Sequence, residues 1–263
     1  MPAAATALPV VRWRGSAAPT SASDALAAEV PVALEFNGIA YATMLATPAD
    51  LDDFARGFAL TEGVVQRLDE IYGIDLTSTA DGVVVQLEIA SARAAALRER
   101  RRALAGRTGC GVCGVESLPQ VLRPVPAVAH PPRVAMAAVL AAQAGLQARQ
   151  PLHQHTGATH AAGLAGPDGT LWCVREDVGR HNALDKLIGA TAGQVEPGWV
   201  VVSSRASFEM VHKTLAAGHV LLAAVSAPTT LAQKLAHDHH LILMGFVRGD
   251  RATVYAGADR VDP

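Results

Sequence analysis

Two runs in the first fifth of the chain, VPVALEF and IAYATML, alternate apolar and polar positions around Asn37-Gly38. Alternation turns one face of each run inward, and Asn-Gly tolerates the positive φ of a tight primed turn. The pattern therefore predicts a β-hairpin over residues 30–46. Thr47-Pro48 predicts a helix through about residue 61, because proline suits the first helical position and Thr can cap free amides; Gly63 ends it. Strands follow near residues 70–76 and 83–89, joined across Asp81-Gly82, and residues 91–104 read as a helix rich in arginine at its end. Residues 1–28, rich in Ala, Ser, Thr and Pro, read as a loose tail around one short strand at 10–14. A helical pattern spans residues 133–148.

Beyond Gln150 the rhythm changes. Short apolar runs at about 158–164, 170–176, 199–204, 219–226 and 241–247 and a last strand at 251–256 are predicted as strands. Helical stretches at 180–192, 207–217 and 228–238 are interspersed among them. Apolar strands alternating with helices predict a mainly parallel sheet covered on both faces. The expected fold class is α/β in this half and α+β overall. Residues 29–125 form the smaller hairpin-rich α+β domain, residues 126–263 the α/β domain, and the boundary falls in the proline-rich segment 119–132.

Composition narrows the class. At 263 residues, 50% apolar and 17% charged, the chain can bury a large core and is not disordered. A net charge of -2 carries no basic excess, which disfavours nucleic acid and anionic membrane as partners. The first residues, MPAAATALPVV, lack a basic start and carry two prolines, so no signal peptide is expected. Residues 214–233 have no formal charge but contain too many polar and breaking residues for a lipid-exposed helix. The expectation is a cytoplasmic protein.

Three features carry chemistry. Cys110 and Cys113 stand in GRTGCGVCG, residues 106–114, where glycines flank both thiols. Such a segment reads as a mobile, exposed loop rather than a helix-borne redox centre, and nearby arginines favour a thiolate. The pair alone leaves sulfur chemistry and a metal or structural role equally open. Cys173 reads as a small core residue. HDHH at 237–240 has metal-ligand residues, yet it falls where a helix should end and the dipole attracts histidine.

The loops after the strands are the second feature. Ser203-Ser204-Arg205, Ser226 to Thr230, and Phe246-Val247-Arg248-Gly249-Asp250-Arg251 each follow an apolar strand. Parallel strands would bring them to one carboxyl edge, the ligand edge of open α/β sheets. Hydroxyls of Ser203, Ser226 and Thr229, arginines 205, 248 and 251, and helix N-termini there suit an anionic, nucleotide-like ligand. Phe246 either stacks on a flat ring or joins the core. The third feature is REDVGRHNALDK, in which His181 and Asp185 are four residues apart and share a helix face, as an acid-base pair or a surface ion pair.

TGCGVCG, TGATHAAG, EDVGRHNALDKLIG, SSRASFEMVHK, SAPTTLAQKLA and LMGFVRGDR occur in this order, and together they resemble the FdhD family over about residues 35–255. Ser204 and Ala158 stand where that family usually has Gly. The resemblance implies a sulfurtransferase that carries a persulfide on Cys110, with Cys113 as the second cysteine. The donor would be a cysteine desulfurase and the recipient molybdenum bis(molybdopterin guanine dinucleotide), the cofactor of formate dehydrogenase. It also implies a cytidine-deaminase-like C-terminal domain without zinc ligands, no structural metal, a homodimer, and cofactor binding at residues 246–251, for which GDP is a fragment ligand. A cofactor-holding chaperone whose cysteines transfer nothing is the alternative, and a zinc-stabilised protein a third reading.

Overall fold

The computed structural model describes residues 1–104, 123–130, 132–193 and 198–263, and the side chains at 100–104 are not among those described. The loop 106–114 with Cys110 and Cys113 lies outside the described residues. The fold is mixed α/β.

The first half holds a four-stranded sheet in the order β4-β3-β6-β5, from β3 (Val30–Phe36), β4 (Ile39–Ala46), β5 (Ile71–Ser78) and β6 (Val83–Ile89). β3 and β4 form the expected hairpin, with Asn37 and Gly38 at φ 48° and 72°. The Asn37 side chain also donates to Ile89 O at 2.9 Å and accepts from Ile89 N at 2.7 Å, tying the turn to β6. In β6 the odd positions Val83, Val85, Leu87 and Ile89 are buried, as alternation requires, against Phe54 and Phe58 of α1 (Leu51–Thr61). α2 (Ser91–Leu104) closes this half.

Residues 1–28 are not a loose tail. β1 (Ala5–Arg12) and β2 (Thr20–Ala27) form an antiparallel ribbon, and β2 packs against the short helix Pro151–Thr156. Its strands are almost wholly solvent-facing, so no apolar alternation marks them in the sequence.

The second half has a six-stranded sheet in the order β13-β12-β11-β10-β8-β9. Its members are β8 (His160–Ala165), β9 (Leu171–Asp177), β10 (Trp199–Val202), β11 (Leu221–Ala224), β12 (Ile242–Arg248) and β13 (Arg251–Ala256). The expectation of a mainly parallel sheet is corrected here. Only β10-β11 and β11-β12 pair in parallel, and the other three pairings are antiparallel. Both hairpins are too short for a crossover: β8-β9 turns at Gly166–Thr170, and β12-β13 turns at Gly249-Asp250. Buried residues on the two faces form two apolar clusters, one beneath helices 180–191, 208–216 and 230–238 and one beneath helix 136–148. β7 (Val134–Ala135) opens the predicted helical stretch before α3 (Met136–Ala148), and it pairs with β14 (Val261–Asp262). α4 is Pro151–Thr156.

The halves meet where α1 crosses α5 (Arg180–Thr191). A β-carbon on Gly57 would lie 1.8 Å from Asp185 O, and one on Gly189 would lie 1.9 Å from Asp53 O. Only two facing glycines allow this approach. The predicted start of α1 at Thr47-Pro48 is also corrected. Thr47 caps no helix: its N–H donates to Asp177 at 3.0 Å, its hydroxyl accepts from Val178 N, and its carbonyl accepts from Lys186 Nζ at 2.9 Å. The helix begins at Leu51, after Asp50 in the left-handed region.

Candidate functional site

β10, β11 and β12 are parallel, so their carboxyl ends share one edge as the sequence pattern required. Backbone hydrogen bonds join the three exit loops. Ser226 N donates to Ser204 O at 3.4 Å, Thr229 N to Ala206 O at 3.1 Å, and Phe246 N to Ser226 O at 3.4 Å. Arg248 Nε donates to Val225 O at 2.9 Å, which leaves the outer guanidinium nitrogens of this exposed side chain without a described partner.

The predicted residues separate into different roles on this edge. Phe246 is 43% exposed at φ 52°, a conformation a bulky residue rarely adopts, and sits in an irregular stretch of the β12-β13 ladder. The core role is thereby excluded, and its ring stands on the surface. Val247 is fully buried, so its side chain belongs to the core. Gly249 at φ 58° makes the turn that places Arg248 opposite Arg251. Arg248, Asp250 and Arg251 are all exposed at the hairpin end. The Thr229 hydroxyl caps α7 (Thr230–Asp238) by accepting from Ala232 N. The Ser203 hydroxyl accepts from Ala161 N at 2.9 Å and pins β8.

Beside these loops lies a cavity of about 510 Å³ bordered by His153, Thr159, His160, Ser203 and Val225. His160 is half-buried, and burial, then the charges of Arg180, His153 and His181, hold its imidazole below the ordinary value. Arg180 opens α5. Burial and then the Arg205 charge pull it below the ordinary guanidinium value. Its Nε is buried without a hydrogen-bond partner among the described residues.

The EDVGRHNALDK segment is rearranged relative to its helical spacing. His181 does not pair with Asp185; it faces Glu209 of α6 (Phe208–Ala216) at 2.7 Å. Asp185 instead accepts from Lys213 at 2.9 and 3.0 Å and from the Thr61 hydroxyl at 2.8 Å. Lys213 also donates to Glu62 at 3.2 Å, and Glu62 is paired with Arg123 at 2.7 Å. The two facing carboxylates raise the Lys213 ammonium above its usual range despite burial, so it stays charged. Lys186 and Asp177, both fully buried, form a second pair at 2.7 Å. The Lys213, Asp185, Glu62 and Arg123 cluster borders a cavity of about 170 Å³ at the junction between the halves, together with Phe58, His181, Phe208 and His212, whereas the Lys186–Asp177 pair ties Thr47 to the second half.

The chain has only three lysines against nineteen arginines, and two of the three are these buried ammoniums. Cys173 is half-buried, 3.3 Å from Arg175 Nη1, and burial raises its thiol. Among the described residues no group of three His, Cys, Asp or Glu side chains is placed to hold a metal ion. No described helix is long and apolar enough to cross a membrane.

Fold and site together define a two-part α/β protein with exposed arginines on the loops at the carboxyl edge of its larger sheet and a charged, buried junction. The chain belongs to the FdhD/NarQ family, whose profile matches residues 27–262. It is 57% identical over 256 residues to the sulfur carrier protein FdhD of Bordetella bronchiseptica, covering 96% of this chain and 93% of that one. It is 53% identical to the sulfur carrier protein FdhD of Cupriavidus necator, covering 96% and 88%. The fold is similar to a crystal structure from Desulfotalea psychrophila described as a formate dehydrogenase accessory protein, with a TM-score of 0.77 at 21% identity, covering 98% of this chain and 100% of that one.

Proposed function

We propose that this chain is a sulfur carrier in the maturation of formate dehydrogenase, working as a homodimer in the cytoplasm. The observation that carries the reading is the 57% identity to a named sulfur carrier over nearly the whole of both chains. The chemistry assigned to it is persulfide transfer. The Cys110 thiolate attacks the outer sulfur of a cysteine desulfurase persulfide; the donor S–S bond breaks, and the donor thiolate leaves with the bonding pair. Attack of the Cys113 thiolate on the Cys110 sulfur then releases the carried sulfur as hydrosulfide and leaves a Cys110–Cys113 disulfide. A dithiol reductant reopens that bond.

The recipient, and so the substrate, is molybdenum bis(molybdopterin guanine dinucleotide). The carboxyl edge supports this reading because it offers a ring surface at Phe246 and unpaired guanidinium donors at Arg248 and Arg251. Arginine forks match phosphate oxygens and polar ring edges, and an exposed aromatic face suits a purine or pterin.

Incubation with a cysteine desulfurase and cysteine should add one sulfur to the intact mass, removable by reductant. Cys110→Ala should abolish the gain, and Cys173→Ala should retain it. A wild-type protein that never gains this mass overturns the transfer reading in favour of a cofactor-holding chaperone.

A further inference from the structure

His219 is only 7% exposed, and its Nδ1 is buried with no hydrogen-bond partner among the described residues. Its place in the fold makes this unusual. α6 ends in a Schellman motif: the N–H of Gly218, at φ 77°, donates to Leu215 O at 2.9 Å, and the N–H of His219 donates to Thr214 O at 3.1 Å. The residue after the left-handed glycine commonly brings an apolar side chain back against the last helical turn. Here that side chain is an imidazole. Burial lowers its pKa to about 4, so at neutral pH the ring is uncharged, with one nitrogen able to donate and the other to accept. An unpaired buried polar atom costs stability that an apolar residue at this position would not.

The ring borders a cavity of about 250 Å³. Residues 126–130, in the segment joining the halves, form part of the lining, and Val128 N–H fixes that segment by donating to His239 O at 2.9 Å. Leu215 and Val220, both buried in the core clusters, complete it. No carboxylate, ammonium or guanidinium among the described residues lines the space, and the only other polar side chain there is the exposed His130. Such a lining offers an ion no counter-charge to offset its desolvation. It favours an uncharged, mainly apolar molecule that brings one polar group to the imidazole. Size narrows the class. A dry apolar cavity of about 150 Å³ holds benzene, so this one has room for an aromatic ring with a substituent. A hydroxyl both donates and accepts, and so it satisfies the imidazole in either tautomer.

We propose that His219 and residues 126–130 form a binding site for a small uncharged aromatic alcohol of the phenol class, its hydroxyl on the imidazole and its ring against Leu215 and Val220. The site lies at the amino end of β11, away from the carboxyl edge that carries the cofactor reading. It does not depend on the sulfur-carrier reading.

The test is titration of the full chain at neutral pH with phenol, toluene and benzoate, followed by calorimetry and by the histidine ring resonances in NMR. Phenol should saturate one site and shift the ring resonance that is missing from His219→Leu. Toluene should bind roughly 5- to 100-fold more weakly, the range that one buried hydrogen bond supplies, and benzoate more weakly still. Leucine suits the position after the glycine, so His219→Leu should fold and bring phenol down to the affinity of toluene. Ala129→Phe, on the exposed part of the lining, should weaken both ligands and reads the site even if the His219 variant fails to fold. No saturable binding of phenol to wild type overturns the proposal, as does toluene or benzoate binding as tightly as phenol. Unchanged phenol affinity in folded His219→Leu, or in Ala129→Phe, overturns it equally.

Discussion

Replacing Lys213 by Met removes an ammonium that donates to both Asp185 oxygens, Glu62 and Thr61, while keeping an apolar stem of similar length. Asp185 is 2% exposed, so its carboxylate would retain one donor, the Thr61 hydroxyl at 2.8 Å. Breaking a buried ion pair from one side costs about 3–5 kcal/mol, because the remaining charge is uncompensated. In a chain of this size each kcal/mol shifts Tm by about 2–4 °C, giving a fall of roughly 6–20 °C. Urea unfolding followed by circular dichroism measures the loss directly. The pH dependence has a definite sign. Burial pushes the Asp185 carboxyl up, and Lys213 is the largest opposing influence. In the variant the folded carboxyl therefore binds its proton more tightly than the unfolded one. The defect should shrink as pH falls from 7 toward 4, since protonation removes the stranded charge. Adding Asp185→Leu should recover most of the stability, because apolar replacement of both partners is close to neutral. A loss below about 1 kcal/mol, or a double variant no better than the single, refutes the reasoning.

Arg248→Ala should weaken GDP binding about 10- to 150-fold by calorimetry, the value of one charged hydrogen bond, while persulfide loading on Cys110 is unchanged. Gly189→Ala should destabilise by about 3 kcal/mol in chemical denaturation, because its methyl meets the Asp53 carbonyl and the two helices must separate. His219 is buried, which lowers its pKa from 6.5 to about 4, and its Nδ1 has no described partner. Its folded form stays neutral where the unfolded form takes a proton. Its contribution is thus complete above pH 6.5 and lost as pH falls toward 4, about 3 kcal/mol in all, and His219→Phe should flatten the urea midpoint across that window.

Much of the fold was legible along the chain because local periodicity decides which side chains face inward. The 30–46 hairpin followed from alternation and Asn37-Gly38, and β6 and β13 fall at the predicted residues. The edge that gathers Ser203, Ser226 and Phe246 was readable because strand–helix alternation already implies parallel neighbours in the sheet centre. Pairing partners were not readable. His181 and Asp185 share a helix face, yet each bonds a residue of α6, and Asp185 also bonds Thr61 of α1. Thr47 looked like a helix cap and instead bonds Asp177 and Lys186, 130 and 139 residues away. A side chain's spacing limits which neighbours lie within reach on its own helix. The stronger, desolvated partner is supplied by whatever packs against that face. The facing glycines at 57 and 189 let α1 and α5 come close enough to choose those partners, and that approach exists only in the folded chain.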